Sequence, residues 1–306
     1  LFLSLFSLFL FFSCLFIHIA PDGPPTKVQT TDVQPTSITL SWQPPVPELR
    51  NGRIGSYSIC LLVFNISSKR CQRRFRSGQK KYTVNELKPY SKYIFNISAG
   101  TTAGFGPLVS VIERTLQTAP SGPPADTLVS NFTQNEISIT WSPPDPAERN
   151  GVITKYSLCI AKHRESQCLT KDTLNFNQTS YTFRNLRPYR LYDIHIKAAT
   201  MIGFGPSGII TQRTAESAPS RGPASITFPR RNSTSIFMTW SLPSKDDRNG
   251  VILQYSVCYK LQKDKDPCMP YTVTNNTWFE ISGHRPHQLF KFAIKAATAV
   301  GFGPPS

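Results

Sequence analysis

A chain of 306 residues carrying 34 Lys and Arg against 18 Asp and Glu has room for two or three domains. Its 39% hydrophobic and 11% aromatic residues supply cores and exclude a globally disordered chain, while 26 Pro argue against long helices. The net charge of +16 points to acidic partners or an acidic surface, and seven Cys suit one staple per domain rather than a disulfide-dense miniature scaffold.

Residues 1–20 are an apolar run of Leu, Phe and Ser with Ile, one Cys, one His and a final Ala, with no charge. The run is just long enough to span a bilayer and lacks the basic start of a secretory leader. Three readings stand: a signal peptide or anchor cut at its start, a translated non-coding stretch, and a transmembrane helix of the mature protein. Cys14 has no partner in any of them.

From residue 21 onward the chain repeats. Trp42, Trp141 and Trp240 recur every 99 residues, as do Asn51-Gly52, Asn150-Gly151 and Asn249-Gly250, then Tyr57, Tyr156 and Tyr255, then Cys60, Cys159 and Cys258. Gly-Phe-Gly-Pro blocks begin at Gly104, Gly203 and Gly301. A period this long is a whole domain. The Pro-rich joints Ala119–Pro124 and Ala218–Pro223 give modules at 21–117, 118–216 and 217–306.

Within each module the hydrophobic period is two. Ile38, Leu40 and Trp42 alternate with Ser and Thr, as do Ile137, Ile139 and Trp141, then Ile236, Met238 and Trp240. That is a half-buried antiparallel strand. A Pro-rich loop follows and ends in the Asn-Gly turn signal. The next strand places Tyr57, Ile59 and Leu61 on one side, and a later strand does the same with Tyr93, Phe95, Ile97 and Ala99. With no amphipathic helix of useful length, the fold class is all-β, three tandem sandwiches.

Trp42, the Pro-Pro…Asn-Gly loop, Tyr57 and Leu87-Lys-Pro-Tyr-Ser-Lys-Tyr93 together resemble a fibronectin type III domain, over about 285 of the 306 residues. The last segment, repeated as Leu186-Arg-Pro-Tyr-Arg-Leu-Tyr192, is similar to the family's tyrosine corner. The resemblance implies an immunoglobulin-like sandwich with Gly-Phe-Gly-Pro in the loop before the last strand. The wording of the repeat is similar to that in ectodomains of receptor-type tyrosine phosphatases, usherin and sidekick-like adhesion proteins. The third copy departs: its corner reads His284-Arg-Pro-His-Gln-Leu-Phe290, removing a tyrosine hydroxyl whose hydrogen bond contributes about 1 kcal/mol. The sequence also reaches Ser306 just past Gly-Phe-Gly-Pro, so the third sandwich is expected to lack its last strand and the chain to be a fragment.

Six cysteines form the pairs Cys60 and Cys71, Cys159 and Cys168, Cys258 and Cys268. The first of each follows a core residue and is expected on the outer face. The second falls where the neighbouring strand runs back, so three hairpin disulfides are expected. Metal binding and unpaired surface thiols are the rival readings; no His or further Cys stands at zinc-ligand spacing, and no metal or other cofactor is expected. Six sequons, at Asn65, Asn96, Asn131, Asn177, Asn232 and Asn275, fit the same oxidising, glycosylating compartment.

No catalytic constellation stands out, so the chain reads as a non-enzyme. His284 and His287 lie in a strand corner and read as surface histidines, not ligands. The one binding feature is basic: Lys69, Arg70, Arg73, Arg74, Arg76, Lys80 and Lys81 lie within 13 residues with no acid among them. On a strand, Arg74 and Arg76 share a face opposite Arg73. The alternatives are a solvated basic face and a site for heparan sulfate-type glycans. Nucleic acid is not expected, because no aromatic platform accompanies the charge. The expected role is a piece of an extracellular adhesion or receptor ectodomain, secreted or on the outer face of the plasma membrane, that binds cell-surface proteins. The alternatives are a receptor-type tyrosine phosphatase ectodomain and a glycosaminoglycan-binding matrix protein. Membrane contact would come only through an anchor.

Overall fold

The computed structural model describes residues 19–63, 69–265, 268 and 271–306. The apolar run up to residue 18, with Cys14, and Asn65 lie outside the described residues. The chain falls into two compact units, one built on residues up to Ala119 with Asn150–Val152 and Thr200–Ile202, the other on the remainder.

In the first unit the strands are β1 (Thr26–Val33), β2 (Ile38–Gln43), β3 (Ser56–Val63), β4 (Lys69–Arg76), β5 (Lys81–Val84), β6 (Lys92–Gly100) and β7 (Phe105–Arg114), with a 3-10 turn at Pro47–Leu49. Two antiparallel sheets form, β1-β2-β5 and β4-β3-β6-β7. Their inner faces are the period-two positions of the sequence: Ile38, Leu40, Trp42, Tyr57, Phe95 and Ile97 are all buried. Trp42 meets Tyr57 edge to face at 5.4 Å, the arrangement their ring quadrupoles favour.

The second unit holds two sandwiches. The strands of the first are β8 (Ala125–Phe132), β9 (Ile137–Ser142), β10 (Lys155–Lys162), β11 (Cys168–Asn175), β12 (Ser180–Phe183), β13 (Leu191–Ala199) and β14 (Phe204–Arg213). They repeat the pattern as sheets β12-β9-β8 and β11-β10-β13-β14. The other sandwich uses β15 (Ala224–Arg231), β16 (Ser235–Ser241), β17 (Gln254–Leu261), β18 (Thr272–Thr274), β19 (Trp278–Ser282) and β20 (Phe290–Ala297). Its sheets have three strands each, β15-β16-β19 and β18-β17-β20. Trp141 on Tyr156 and Trp240 on Tyr255 keep the edge-to-face contact, at 5.5 and 5.4 Å. Arg190 donates to Asp246 Oδ1 at 3.0 Å and to the Lys245 carbonyl at 2.9 Å, tying these two sandwiches together.

The Gly-Phe-Gly-Pro block is not a loop. Only its first glycine turns the chain, with φ +151° at Gly104; Phe105, Gly106 and Pro107 already belong to β7, and Phe204, Gly205 and Pro206 to β14. The second glycine is needed for a close approach, since a Cβ on Gly205 would stand 2.6 Å from the Pro120 carbonyl oxygen. The third copy begins the same pairing, Ala297 opposite Phe302, as Ala199 opposite Phe204 does in the second.

The Asn-Gly turns do more than reverse direction. Asn51, Asn150 and Asn249 sit at φ near +50°, a region asparagine tolerates. Their amides donate to the carbonyls of Ala20, Ala119 and Ala218 at 3.0, 3.3 and 3.2 Å. The preceding arginines Arg50, Arg149 and Arg248 donate back to the carbonyls of Pro45, Pro144 and Pro243 at 2.7, 2.7 and 2.8 Å. Each Pro-rich loop is thus locked by its own Arg-Asn pair.

The corner residues are Tyr93 and Tyr192, whose hydroxyls accept from the backbone N–H of Lys88 at 2.7 Å and of Arg187 at 2.9 Å. In the third sandwich Phe290 has no hydroxyl, yet the bond is not lost. The Arg285 N–H donates instead to Gln288 Oε1 at 3.1 Å. His284 is half-buried against the Phe290 ring at 5.2 Å, so it is a packing residue of the corner and not a free surface histidine.

Candidate functional site

The cysteine pairs are joined: Cys60–Cys71, Cys159–Cys168 and Cys258–Cys268, with Cα separations of 3.9, 5.5 and 5.9 Å. Only the first is a direct cross-strand pair in the ladder. In the second sandwich Cys159 stands opposite Lys171, and a register shift after Ile160 brings Cys168 opposite Ala161. In the third, Cys268 precedes β18 and belongs to no strand. Cys258 alternates with the core residues Tyr255 and Val257 and so lies on the outer face as expected, yet it is fully buried there.

The basic cluster occupies β4 and the start of β5. The β3–β4 register shifts between Tyr57 and Ser58: Arg73 pairs with Ser58 and Phe75 with Tyr57, leaving Arg74 without a partner. This bulge interrupts the alternation that was to set Arg74 and Arg76 opposite Arg73. The side chains of Lys69, Arg70, Arg73 and Arg74 lie outside the described residues; Arg76, Lys80 and Lys81 are exposed.

Of the sequons, Asn131, Asn177, Asn232 and Asn275 are exposed. Asn232 caps its own turn, its Oδ1 accepting from the N–H of Thr234 and Ser235 at 2.9 and 2.7 Å. Asn96 is half-buried in the middle of β6, and its Oδ1 accepts from Ser110 Oγ at 2.8 Å.

One concavity was not anticipated from sequence. It is a 650 Å³ hollow on the outer face of β11-β10-β13-β14. Ser157 and Cys159 on the central β10 form its floor, and the register sets Thr173 and Lys171 on one side and Lys197 and His195 on the other. Short side chains between long ones are what make a flat sheet face concave. At one end Asp193 accepts from His163 Nδ1 at 2.9 Å, from Thr211 Oγ1 at 2.6 Å and from the Arg164 N–H at 3.0 Å. The Thr211 hydroxyl, then His163, hold its carboxyl down to about 2.

That carboxylate makes a pH prediction. A group whose pKa is lower folded than unfolded stabilises above its unfolded value, near 3.8, and the contribution is lost as pH falls toward 2. Asp193→Asn is expected to cost about 1 kcal/mol at neutral pH and much less at pH 2. Urea titrations of both proteins at the two pH values check this; an equal gap at both would remove Asp193 from the account.

The profile of the fibronectin type III domain matches residues 23–115, 122–214 and 217–306. The chain belongs to the fibronectin type III family. It is 26% identical to the cell adhesion molecule Dscam2 of Drosophila melanogaster and 27% to protein sidekick-1 of Gallus gallus, each over 94% of this chain and 14% of that protein. It is 29% identical to receptor-type tyrosine-protein phosphatase F of Mus musculus, over 94% of this chain and 15% of that protein. It therefore spans about a seventh of the length of these relatives. A crystal structure of the chicken CNTN1 FN1–FN3 domains shares the fold, with a TM-score of 0.51 and 21% identity, over 94% of this chain and 97% of that one. The fibronectin type III repeats are non-catalytic modules, and the phosphatase chemistry of such relatives lies in domains other than the three matched here. Among the described residues no helix is long and apolar enough to cross a membrane.

Proposed function

We propose that these fibronectin type III modules work outside the cell as a non-catalytic recognition array of an adhesion molecule or receptor, on the plasma membrane or secreted. The units 21–117, 118–216 and 217–306 carry the binding surfaces, and their partners are cell-surface proteins and, through β4, heparan sulfate-type glycans. The observation that carries this reading is that each module has its own disulfide, a bond that persists in an oxidising compartment. The relatives, an adhesion molecule and sidekick-1 among them, support it. A phosphatase ectodomain is the second reading, favoured by the match to receptor-type tyrosine-protein phosphatase F and by 31% identity to human PTPRQ.

The glycan role of β4 is tested with the whole chain secreted from animal cells. Replacing Arg73, Arg74 and Arg76 together by Ala is expected to weaken retention on heparin by about tenfold at physiological salt. Unchanged elution would leave β4 a solvated basic face.

A further inference from the structure

We infer that the hollow on the outer face of β11-β10-β13-β14 is a second, separate binding site, whose ligand is an anionic oligosaccharide. Its charge is uncommitted in one sign only. Asp193 is already engaged by His163, and Glu165 by Lys162 at 3.4 Å. Lys171 and Lys197 are exposed, line opposite sides of the hollow, and among the described residues take part in no ion pair. An incoming anion therefore meets free ammonium groups on both walls without displacing a native partner.

The neutral groups select a sugar over a peptide. Ser157 and Thr173 place hydroxyls on and beside the floor, groups that exchange hydrogen bonds with sugar hydroxyls. Phe204 closes one end as an exposed ring, with Lys155 Nζ 5.3 Å from its centroid, a flat apolar platform for a pyranose face beside a cation for its acid group. The groups that line the hollow are side chains of the sheet face, so recognition there runs through side chains and not through addition of a strand to β11. The other modules do not repeat it. The positions of His195 and Lys197 are Asn96 and Ser98 in the first, where Asn96 is itself a sequon, and Ala293 and Lys295 in the third.

The test uses the full chain with Lys69, Arg70, Arg73, Arg74, Arg76, Lys80 and Lys81 all changed to Ala, so that the basic cluster of β4 contributes nothing. Two probes separate the sources of the anion: a heparin-derived octasaccharide (sulfate) and an α2,8-linked sialic acid octamer (carboxylate). At least one is expected to bind, and Lys171→Ala with Lys197→Ala to weaken it by at least about tenfold, while the charge-matched pair Lys263→Ala with Lys265→Ala leaves it unchanged. Circular dichroism of the variants should be unaltered, since both lysines are exposed. Binding of neither probe overturns the proposal. So do equal losses from the two lysine pairs, or a Glu-rich octapeptide that binds as tightly as the sugars. Because β4 is silent in this background, the outcome is independent of the heparin result for the unmodified chain.

Discussion

Trp141→Ala is expected to destabilise the second sandwich by about 4 kcal/mol, a large part of the 5–15 kcal/mol that holds a domain of this size. Trp141 is 3% exposed, sits at the end of β9 and packs edge to face on Tyr156, itself fully buried. Alanine removes the largest side chain between the two sheets. Neither sheet can close the gap without breaking the ladders of β10 with β13 and of β9 with β12. Hydrogen exchange read by mass spectrometry on the whole chain resolves the effect. Peptides from β9, β10 and β13 should lose protection, and those from β2, β3 and β6 should keep it. If β10 stays as protected as before, the Trp–Tyr contact is not the keystone of this core. Trp42→Ala and Trp240→Ala should behave alike, each in its own module.

These tryptophans were legible because burial follows a period of two and leaves a visible alternation in the sequence. So were the corner tyrosines, whose bonds run only five residues along the chain. Other features were hidden for physical reasons. The arginine before each Asn-Gly recurs every 99 residues, but its partner is a backbone carbonyl, which has no sequence signature. The hollow on the second module depends on Lys171 and His195 standing on either side of Cys159, across strands far apart in the chain. Register is the missing information, and bulges alter it. One residue added opposite Tyr57 and Ser58 breaks the expected facing of Arg73, Arg74 and Arg76, and another shift moves Cys168 off Cys159. In the third corner, the loss of a tyrosine hydroxyl was visible and its replacement by Gln288 was not. A glutamine three residues beyond the N–H from which it accepts reads as an ordinary surface residue.

The same difference in register makes the three disulfides unequal in effect. Each closes a short loop, of 11, 9 and 10 residues in separation, so the constraint on the unfolded chain is similar in all, about 2–3 kcal/mol. What remains after removal is not similar. Without Cys60–Cys71, β4 keeps a ladder to β3 running from Ser56 opposite Arg76 to Leu62 opposite Lys69. Without Cys258–Cys268, β18 keeps only three pairs to β17, from Tyr255 opposite Thr274 to Val257 opposite Thr272. Alanine at both members of the third pair is therefore expected to expose β18 and the adjoining edge of β17 to exchange at neutral pH. Alanine at both members of the first should lower the unfolding midpoint while leaving β4 protected in the folded state. The buried Cys258 adds to the contrast, because alanine there also removes a buried sulfur. Equal loss of protection in β4 and β18 would show that the covalent link, and not the ladder beside it, holds both edge strands in place.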